Sequence, residues 1–267
     1  MQRRVRFLST VIVLVSFVAL LVAGCGGARR YEDLPMDASW AKIKNFYDRG
    51  KYLEAIDRLE VFLINYSGSA LADSAQYLLA ESHFNIKEYI ISASEYDKLT
   101  QQYPQSPLAA DAEYKHGVSY MRLAPKYSLE QIYAEKAIET LQLFIEDYPD
   151  SPLVKDAEAQ ITEARKKLAH KQYANGQLYY RMGEYPSARI YYDLVIENYY
   201  DTRYAEDAQY YKAVSFEKSK DWQNAIREYQ LFLQKFPESE LGTNALEGLN
   251  RARNYQMEEE KTARERG

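Results

Sequence analysis

The chain has 267 residues and a net charge of −5, from 34 lysines and arginines against 39 aspartates and glutamates. This acidic balance disfavours nucleic-acid binding, because such proteins use a basic face to release counterions from phosphates. Apolar residues at 46% and charged residues at 27% exclude disorder for most of the chain. The 26 tyrosines beside only 8 prolines and 11 glycines favour long helices with aromatic packing over a loop-rich β fold.

The first 24 residues have the layout of an export signal peptide. Three arginines lie within residues 2–6, and residues 7–24 follow without a charged side chain and are dominated by Val, Leu, Ile and Phe. An Ala-Gly pair directly precedes Cys25, the only cysteine of the chain. This ending resembles the lipobox of bacterial lipoproteins, with Leu21 one place earlier than usual. The resemblance implies cleavage before Cys25, a diacylglycerol thioether on its thiol and acylation of the new amino terminus.

Residues 25–38 are expected to form a lipidated flexible tether, because they contain two glycines, a proline and mixed charges without an apolar period. Gly26 stands where some inner-membrane lipoproteins carry Asp, so the resemblance implies the periplasmic face of the outer membrane. Removing the three leader arginines leaves 31 basic residues against 39 acidic ones, a net charge of −8. An alternative stays open, since residues 7–24 are just long enough to span ~30 Å of hydrocarbon as a permanent anchor.

From Trp40 onward one motif recurs five times. An aromatic residue, often followed by Pro, precedes a Ser or Thr by three places and a polar-Ala pair by eight and nine places. The five aromatics are Tyr66, Tyr103, Tyr148, Tyr199 and Phe236. Eleven places before them stand five small residues: Ala55, Ser92, Ala137, Ala188 and Ala225. Because Pro ends one helix and Ser or Thr caps the next, each unit is predicted to be an antiparallel helix hairpin, with the helices closest at the small residues.

The hairpin pattern resembles the tetratricopeptide repeat, and four positions match it place by place: Ala213, Phe216, Ala225 and Pro237. The resemblance implies an all-α solenoid of about five hairpins. We expect repeats 1–3 in residues 39–151, a long helix with repeats 4 and 5 in residues 152–257, and a charged tail, frayed or disordered, in residues 258–267.

Two repeats are enlarged. Successive aromatics are separated by 37, 45, 51 and 37 residues, so two copies contain 8 and 14 extra residues. The 8 extra residues lie around residues 123–130, include a proline and predict a loop. Within that loop, Ser128 and Gln131 resemble a capping box that restarts the helix.

The 14 extra residues lie between Ala157 and Gly176. They are rich in Ala, Glu, Lys, Arg and Gln and contain no Pro. Fourteen residues are close to four whole helical turns, so the helix can lengthen without rotating its packing face. The sequence therefore predicts one long helix from about Pro152 to Met182, lying between repeats 3 and 4.

A lipobox followed at once by five such repeats resembles the BamD family, the lipoprotein component of the β-barrel assembly machinery. The Tyr-Pro-x-Ser copy at Tyr148, its equivalent at Tyr199 and the Arg/Lys/Ala-rich helix before repeat 4 add to the resemblance. It implies a non-enzymatic scaffold that contacts the β-barrel insertase and accessory lipoproteins and engages unfolded outer-membrane proteins. Two other scaffold functions stay open, in cell-wall synthesis or envelope constriction and in secretion or pilus assembly. The absence of heptads disfavours the first, and the enlarged repeats disfavour the second.

The first helices of such hairpins line a concave surface that can bind peptide segments. In repeats 1–3 the register predicts an inner face of aromatics with scattered charges: Trp40, Lys44, Tyr47, Tyr77, Glu81, Phe84, Tyr114, Val118 and Met121. By family analogy we expect this face to bind peptides that end in an aromatic residue. The alternative for any one of these aromatics is packing between helices. Because the long helix divides the repeats, we expect substrate on repeats 1–3 and the insertase or accessory lipoproteins on repeats 3–5.

The sequence shows no constellation typical of an enzyme or of a bound cofactor. His83, His116 and His170 are scattered, without the pairing or the second Cys of a metal site. The phosphate-binding, dinucleotide-binding and nucleophile-elbow motifs do not occur after the leader. We therefore expect no catalytic residues, no metal and no cofactor.

Overall fold

The computed structural model describes residues 34–266, and the regular secondary structure in this range is entirely α-helical. This confirms the predicted all-α class. The leader and Cys25 lie outside the described residues. The eleven helices of residues 34–266 are α1 Met36–Asp48, α2 Tyr52–Tyr66, α3 Ala72–Asn85, α4 Tyr89–Gln102, α5 Ala109–Leu123, α6 Ile132–Asp147, α7 Val154–Arg181, α8 Tyr185–Asn198, α9 Arg203–Lys218, α10 Trp222–Lys235 and α11 Gly242–Arg266.

The chain divides into two units, residues 1–42 and residues 43–267, and α1 crosses from one to the other. Within the second unit, each helix from α2 to α11 packs against the next in chain order. Alternate helices also touch, since α7 contacts both α5 and α9, and α9 contacts α11. Hairpins stacked in this way form the predicted solenoid, with α5, α7, α9 and α11 in one layer.

The five small residues of the repeat are all completely buried, as expected where paired helices approach closely. Two glycines show how tight this approach is. A Cβ atom added to Gly117 would lie 2.5 Å from Leu141 Cγ, and one added to Gly176 would lie 2.6 Å from Tyr192 Cε1. The large side chains of the second helices therefore fill the space that these glycines leave.

The serines of the motif close a turn before each helix instead of standing directly at its N-cap. Four helices begin three residues after the serine, and in each case Ser Oγ accepts from the amide two residues on. Ser106 Oγ, for example, accepts from Leu108 N at 3.1 Å. Thr202 does directly precede α9, but its Oγ1 donates to the Tyr199 carbonyl at 2.8 Å, so it caps no amide with its side chain.

The hairpin turns of repeats 1, 2, 4 and 5 share one conformation. Each has a residue with positive φ at the same place: Gly50, Lys87, Gly183 and Lys220. The amide of the following residue bonds to a carbonyl five residues back, as in Asp221 N to Phe216 O at 3.0 Å. This is the Schellman ending of a helix, in which the left-handed conformation is easiest for glycine.

Repeat 3 lacks this turn and has the predicted loop, residues 124–131. The capping-box prediction at Ser128 is wrong, because α6 begins at Ile132 with Gln131 at its N-cap. Gln131 Nε2 donates instead to the carbonyls of Lys126 and Leu129, both at 2.9 Å, and holds the loop closed. The loop thus folds around a buried glutamine.

The long helix between repeats 3 and 4 is α7, which has 28 residues and ends one residue before Met182. The last helix, α11, has 25 residues, and its final residues from 257 to 266 are exposed. Among residues 34–266, no helix combines the length and the apolar character that a membrane crossing would require.

Candidate functional site

The nine residues predicted for the inner face lie on the first helices of repeats 1–3, namely α1, α3 and α5. All nine are half-buried. Trp40 belongs to the unit that ends at residue 42, and the other eight belong to the second unit. Of these eight, the residues on α3 form the centre of a polar network, whereas those on α5 mainly pack.

Glu81 on α3 is the centre of that network. Its carboxylate accepts a hydrogen bond from the Tyr96 hydroxyl of α4 and lies 3.0 Å from Lys115 Nζ of α5. Burial, followed by the Glu81 charge, raises the pKa of Tyr47 to about 12. Burial and the same carboxylate raise the pKa of Tyr96. The carboxylate is thus held by groups from other helices, and the tyrosines remain neutral donors at pH 7.

Tyr77 links the same network to the next repeat. Its hydroxyl donates to Asp111 Oδ2 at the start of α5, and its ring meets that of Tyr96 edge-on, with centroids 5.7 Å apart. Burial, then the bond to Asp111, raises the pKa of Tyr77. Tyr77 therefore joins two hairpins and is also partly exposed to solvent.

Phe84 lies one turn beyond Glu81, between an aromatic ring and two cations. Tyr89 meets it edge-on with centroids 5.2 Å apart. Lys115 Nζ lies 5.4 Å and the Arg122 guanidinium 6.0 Å from the centre of its ring. This arrangement places positive charge beside an apolar face, which suits a ligand with an aromatic group next to a carboxylate.

The α1 and α5 members of the face make simpler contacts. Lys44 Nζ lies 5.6 Å from the centre of the Tyr47 ring and 3.4 Å from Asp48. Tyr114 packs against Phe144 with centroids 5.7 Å apart. Met121 packs against two core clusters, and Val118 is half-buried on the same helix.

A second surface, which the sequence analysis did not identify, lies between the loop of repeat 3, α7 and the start of α9. It is an open cleft of about 650 Å³, which we call the basic cleft. Its charged lining residues are Lys126, Glu163, Lys166, Lys167 and Arg203, and its aromatic ones are Tyr127, His170 and Tyr204. The loop and the long helix were each predicted from the spacing, but spacing does not show that they meet α9.

The three histidines take part in separate contacts. His83 Nδ1 lies 2.8 Å from Glu88 Oε2, His116 packs on Tyr120, and His170 packs between two tyrosines. Within residues 34–266, no group of three His, Cys, Asp or Glu side chains is placed to hold a metal ion.

Comparisons with known proteins agree with these features. A family described as outer membrane lipoprotein, YfiO, matches residues 32–218, and the tetratricopeptide repeat matches residues 207–239. No curated protein matches the sequence.

Two solved repeat structures illustrate the likeness. The TPR domain of P58(IPK) is 20% identical, covers 84% of this chain with a TM-score of 0.43, and is itself covered over 56% of its length. The TPR2AB domain in the pHSP90 complex of yeast Sti1 is 18% identical, with 86% of this chain and 95% of that one covered and a TM-score of 0.40.

The stacked hairpins and the repeat match define a tetratricopeptide-repeat protein. Since the lipoprotein match extends over most of the chain, the chain belongs to the YfiO family of BamD-like outer membrane lipoproteins. This confirms the family resemblance seen in the sequence.

Proposed function

We propose that the protein is a non-enzymatic scaffold of the β-barrel assembly machinery, anchored by lipid at Cys25 on the periplasmic face of the outer membrane. It binds the β-barrel insertase, accessory lipoproteins and unfolded outer-membrane proteins. The observation that best supports this function is the inner face around Glu81, in a chain that belongs to an outer membrane lipoprotein family.

The inner face has the chemistry that a peptide with an aromatic end would use. Phe84 offers a half-buried ring, and Arg122 beside it offers an exposed cation. An aromatic terminal residue would pack on the ring while its carboxylate pairs with the guanidinium. Glu81 and its partners hold this part of α3 in place, so that little conformational freedom is lost on binding.

The first test is a pull-down in mild detergent of the full-length protein from envelope membranes, with mass spectrometry of the bound proteins. We expect a large β-barrel protein with repeated periplasmic domains. A Cys25→Ser variant is the matched control for the anchor and should leave the membrane fraction. Recovery of cell-wall synthases, constriction proteins or a secretin in place of the barrel protein would contradict the proposed function.

The second test measures the binding of a labelled peptide with a C-terminal Phe by fluorescence anisotropy. Replacing Tyr77 and Phe84 together with Ala should weaken binding about tenfold or more, because both rings leave the face. Arg122→Ala, at an exposed site, should weaken it several-fold without affecting the fold.

The control for this second test is a double Ala variant of Ile90 and Ile91, which are exposed on α4 and outside the predicted face. Its affinity should equal that of the unmodified protein, with circular dichroism melts recorded for every variant. Unchanged affinity in both inner-face variants would exclude this surface as the peptide site.

A further inference from the structure

The basic cleft is formed by three segments that are far apart in sequence. The loop of repeat 3 contributes Lys126 and Tyr127, the middle of α7 contributes residues 163–170, and α9 begins at its edge with Arg203 and Tyr204. Lys167 Nζ donates to the Ala124 carbonyl at 2.9 Å and so fixes the loop to α7. At about 650 Å³, the cleft has the size of a ligand pocket and exceeds what a single ion needs.

The cleft is positively charged in an acidic chain. Four of its lining residues are cations and one is an acid, whereas the whole chain has a net charge of −5. Glu163 pairs with Lys166 at 2.7 Å. Among the described residues, no carboxylate lies within 4.0 Å of Lys126, Lys167 or Arg203. Arg203 also borders a neighbouring pocket lined by Glu206, Asp207, Glu238 and Glu240, and its charge acts on Asp207. Lys126 and Lys167 therefore supply most of the local positive potential that would attract anionic groups to the cleft.

The wall of the cleft is stiffened by aromatic stacking. The His170 ring lies between Tyr127, with centroids 3.5 Å apart, and Tyr204, with centroids 4.8 Å apart. Burial and the charge of Arg203 lower the pKa of His170, so the ring is neutral at pH 7. The stack joins the loop, α7 and α9, so that the cations around it are held in a preformed arrangement.

The mixture of acceptors and donors favours a peptide over a lipid headgroup. A phosphodiester offers only acceptor oxygens, so it has no hydrogen to donate to Glu163. A peptide backbone has N–H groups that can donate hydrogen bonds to Glu163. Acidic side chains on the same peptide segment can reach the lysines and the arginine.

We propose that the basic cleft binds a short acidic segment of a protein partner, with its carboxylates on Lys126 and Arg203. This deepens the proposed function, because repeats 3–5 are where we expect the insertase or accessory lipoproteins. The site lies outside the Glu81 inner face and has a different preferred ligand.

The test uses the full-length protein and a fluorescein-labelled peptide of sequence Gly-Glu-Tyr-Glu-Glu-Gly, followed by anisotropy. We expect saturable binding that weakens with added salt and at least about tenfold weaker binding of the Gln-for-Glu peptide. Replacing Lys126 and Arg203 together with Glu should also weaken binding about tenfold or more.

The matched control replaces Lys155 and Arg253 with Glu, since both are exposed and neither lines the cleft. It changes the net charge equally and should leave the affinity within about twofold of the unmodified protein. A milder variant with Gln at Lys126 and Arg203 covers the case in which the charge reversal disturbs folding.

Three results would overturn the proposal: no binding of the acidic peptide, equal binding of the Gln peptide, or equal loss in the control variant. Two other results would assign the cleft to phosphate groups instead. One is binding to phosphatidylglycerol vesicles but not to phosphatidylcholine vesicles. The other is displacement of the peptide by millimolar phosphate when the peptide's binding does not depend on its Glu residues.

The peptide measurement needs no insertase, so it separates this proposal from the proposed function. Cleft binding with a failed pull-down would retain the site and reject the assembly role. Recovery of the barrel protein without peptide binding to the cleft would retain the assembly role and reject the cleft as a binding site.

Discussion

Repeats 2 and 5 contain the same buried polar network, whereas repeats 3 and 4 between them do not. Gln76 Nε2 donates to Glu95 Oε2 at 2.8 Å in repeat 2, and Gln209 Nε2 donates to Glu228 Oε2 at 2.9 Å in repeat 5. Each pair is 19 residues apart and joins the two helices of its hairpin. Repeats 2 and 5 thus bind a buried carboxylate in the same way, with a glutamine on the facing helix.

A second network is shared by the same two regions. Glu81 is bound by Tyr96 and Lys115, and Glu217 is bound by Tyr229 and Arg251. In both cases the cation comes from the helix 34 residues further on. Each network therefore joins three helices in the same order. The tyrosines stand at equivalent repeat positions, whereas Glu217 lies one helical turn further along its helix than Glu81 does.

Repeat 3 has the same register but a different residue at the position of Gln76. Glu113 occupies the position of Gln76, ten places after the repeat aromatic, so a carboxylate replaces the amide. Burial, followed by the charges of Asp147 and Asp97, raises the pKa of Glu113 to about 6. Repeats 2 and 5 thus place an amide that binds a buried carboxylate at this position, whereas repeat 3 has a carboxylate there that burial makes harder to ionise.

The largest effect is expected at the tight contact in the enlarged region. Gly176→Ala should destabilise the protein by about 2–3 kcal/mol, because the new Cβ would meet the buried ring of Tyr192. Urea unfolding followed by circular dichroism measures the change. Gly68→Ala is the control and should change the stability by less than about 0.5 kcal/mol, since no atom lies within 4 Å of its Cβ. Equal effects at both sites would contradict the close approach.

The next effect tests the shared network. Gln209→Leu and Gln76→Leu should each cost about 2 kcal/mol, because a buried carboxylate loses a hydrogen bond. A double variant with Glu228→Met added should recover most of the loss in repeat 5, where Lys212 keeps Asp193 as a partner at 2.7 Å. The Glu228→Met single variant completes the cycle, and a double variant whose loss equals the sum of the two single losses would show that the pair has no energetic coupling.

Replacing Glu113 should stabilise the protein, whereas replacing Gln76 or Gln209 should destabilise it. Its raised pKa means that the folded state binds the proton more tightly than the unfolded state, so the stability falls as the pH rises through about 6. Glu113→Gln should therefore stabilise the protein by about 1 kcal/mol at pH 7.5, after allowance for solvent screening of a half-exposed group. The gain should vanish below pH 4.5, and urea unfolding at both pH values measures it. A gain that does not depend on pH would exclude the carboxylate charge as the cause.

The smallest effect concerns the hairpin turns. Lys220→Gly should stabilise repeat 5 by about 0.5–1 kcal/mol, because glycine adopts a φ of 60° without strain. The reverse change, Gly183→Ala, should cost about the same amount in repeat 4. Thermal melts of both variants give the comparison, and a loss of stability in the glycine variant would show that the Lys220 side chain matters more than its backbone.

Much of the fold followed from local residue spacing. Prolines after the aromatics, small residues at fixed offsets and a proline-free insertion of four helical turns all act within a hairpin, so they predicted the hairpins and the long helix. The helix starts were missed because the serines close a turn of three residues, and Ser128 was misassigned because Gln131 binds loop carbonyls instead. Both errors concern hydrogen bonds whose partners depend on backbone path.

The sequence by itself determined the class, the repeat register and the family resemblance, since these depend on periodicity within one chain. Only the tertiary structure showed that Glu81 collects groups from neighbouring helices and that the loop of repeat 3, α7 and α9 enclose a basic cleft. Both sites include bonds between residues far apart in sequence, 34 positions for Glu81 and Lys115 and 43 for Ala124 and Lys167, so their geometry follows from how successive hairpins pack.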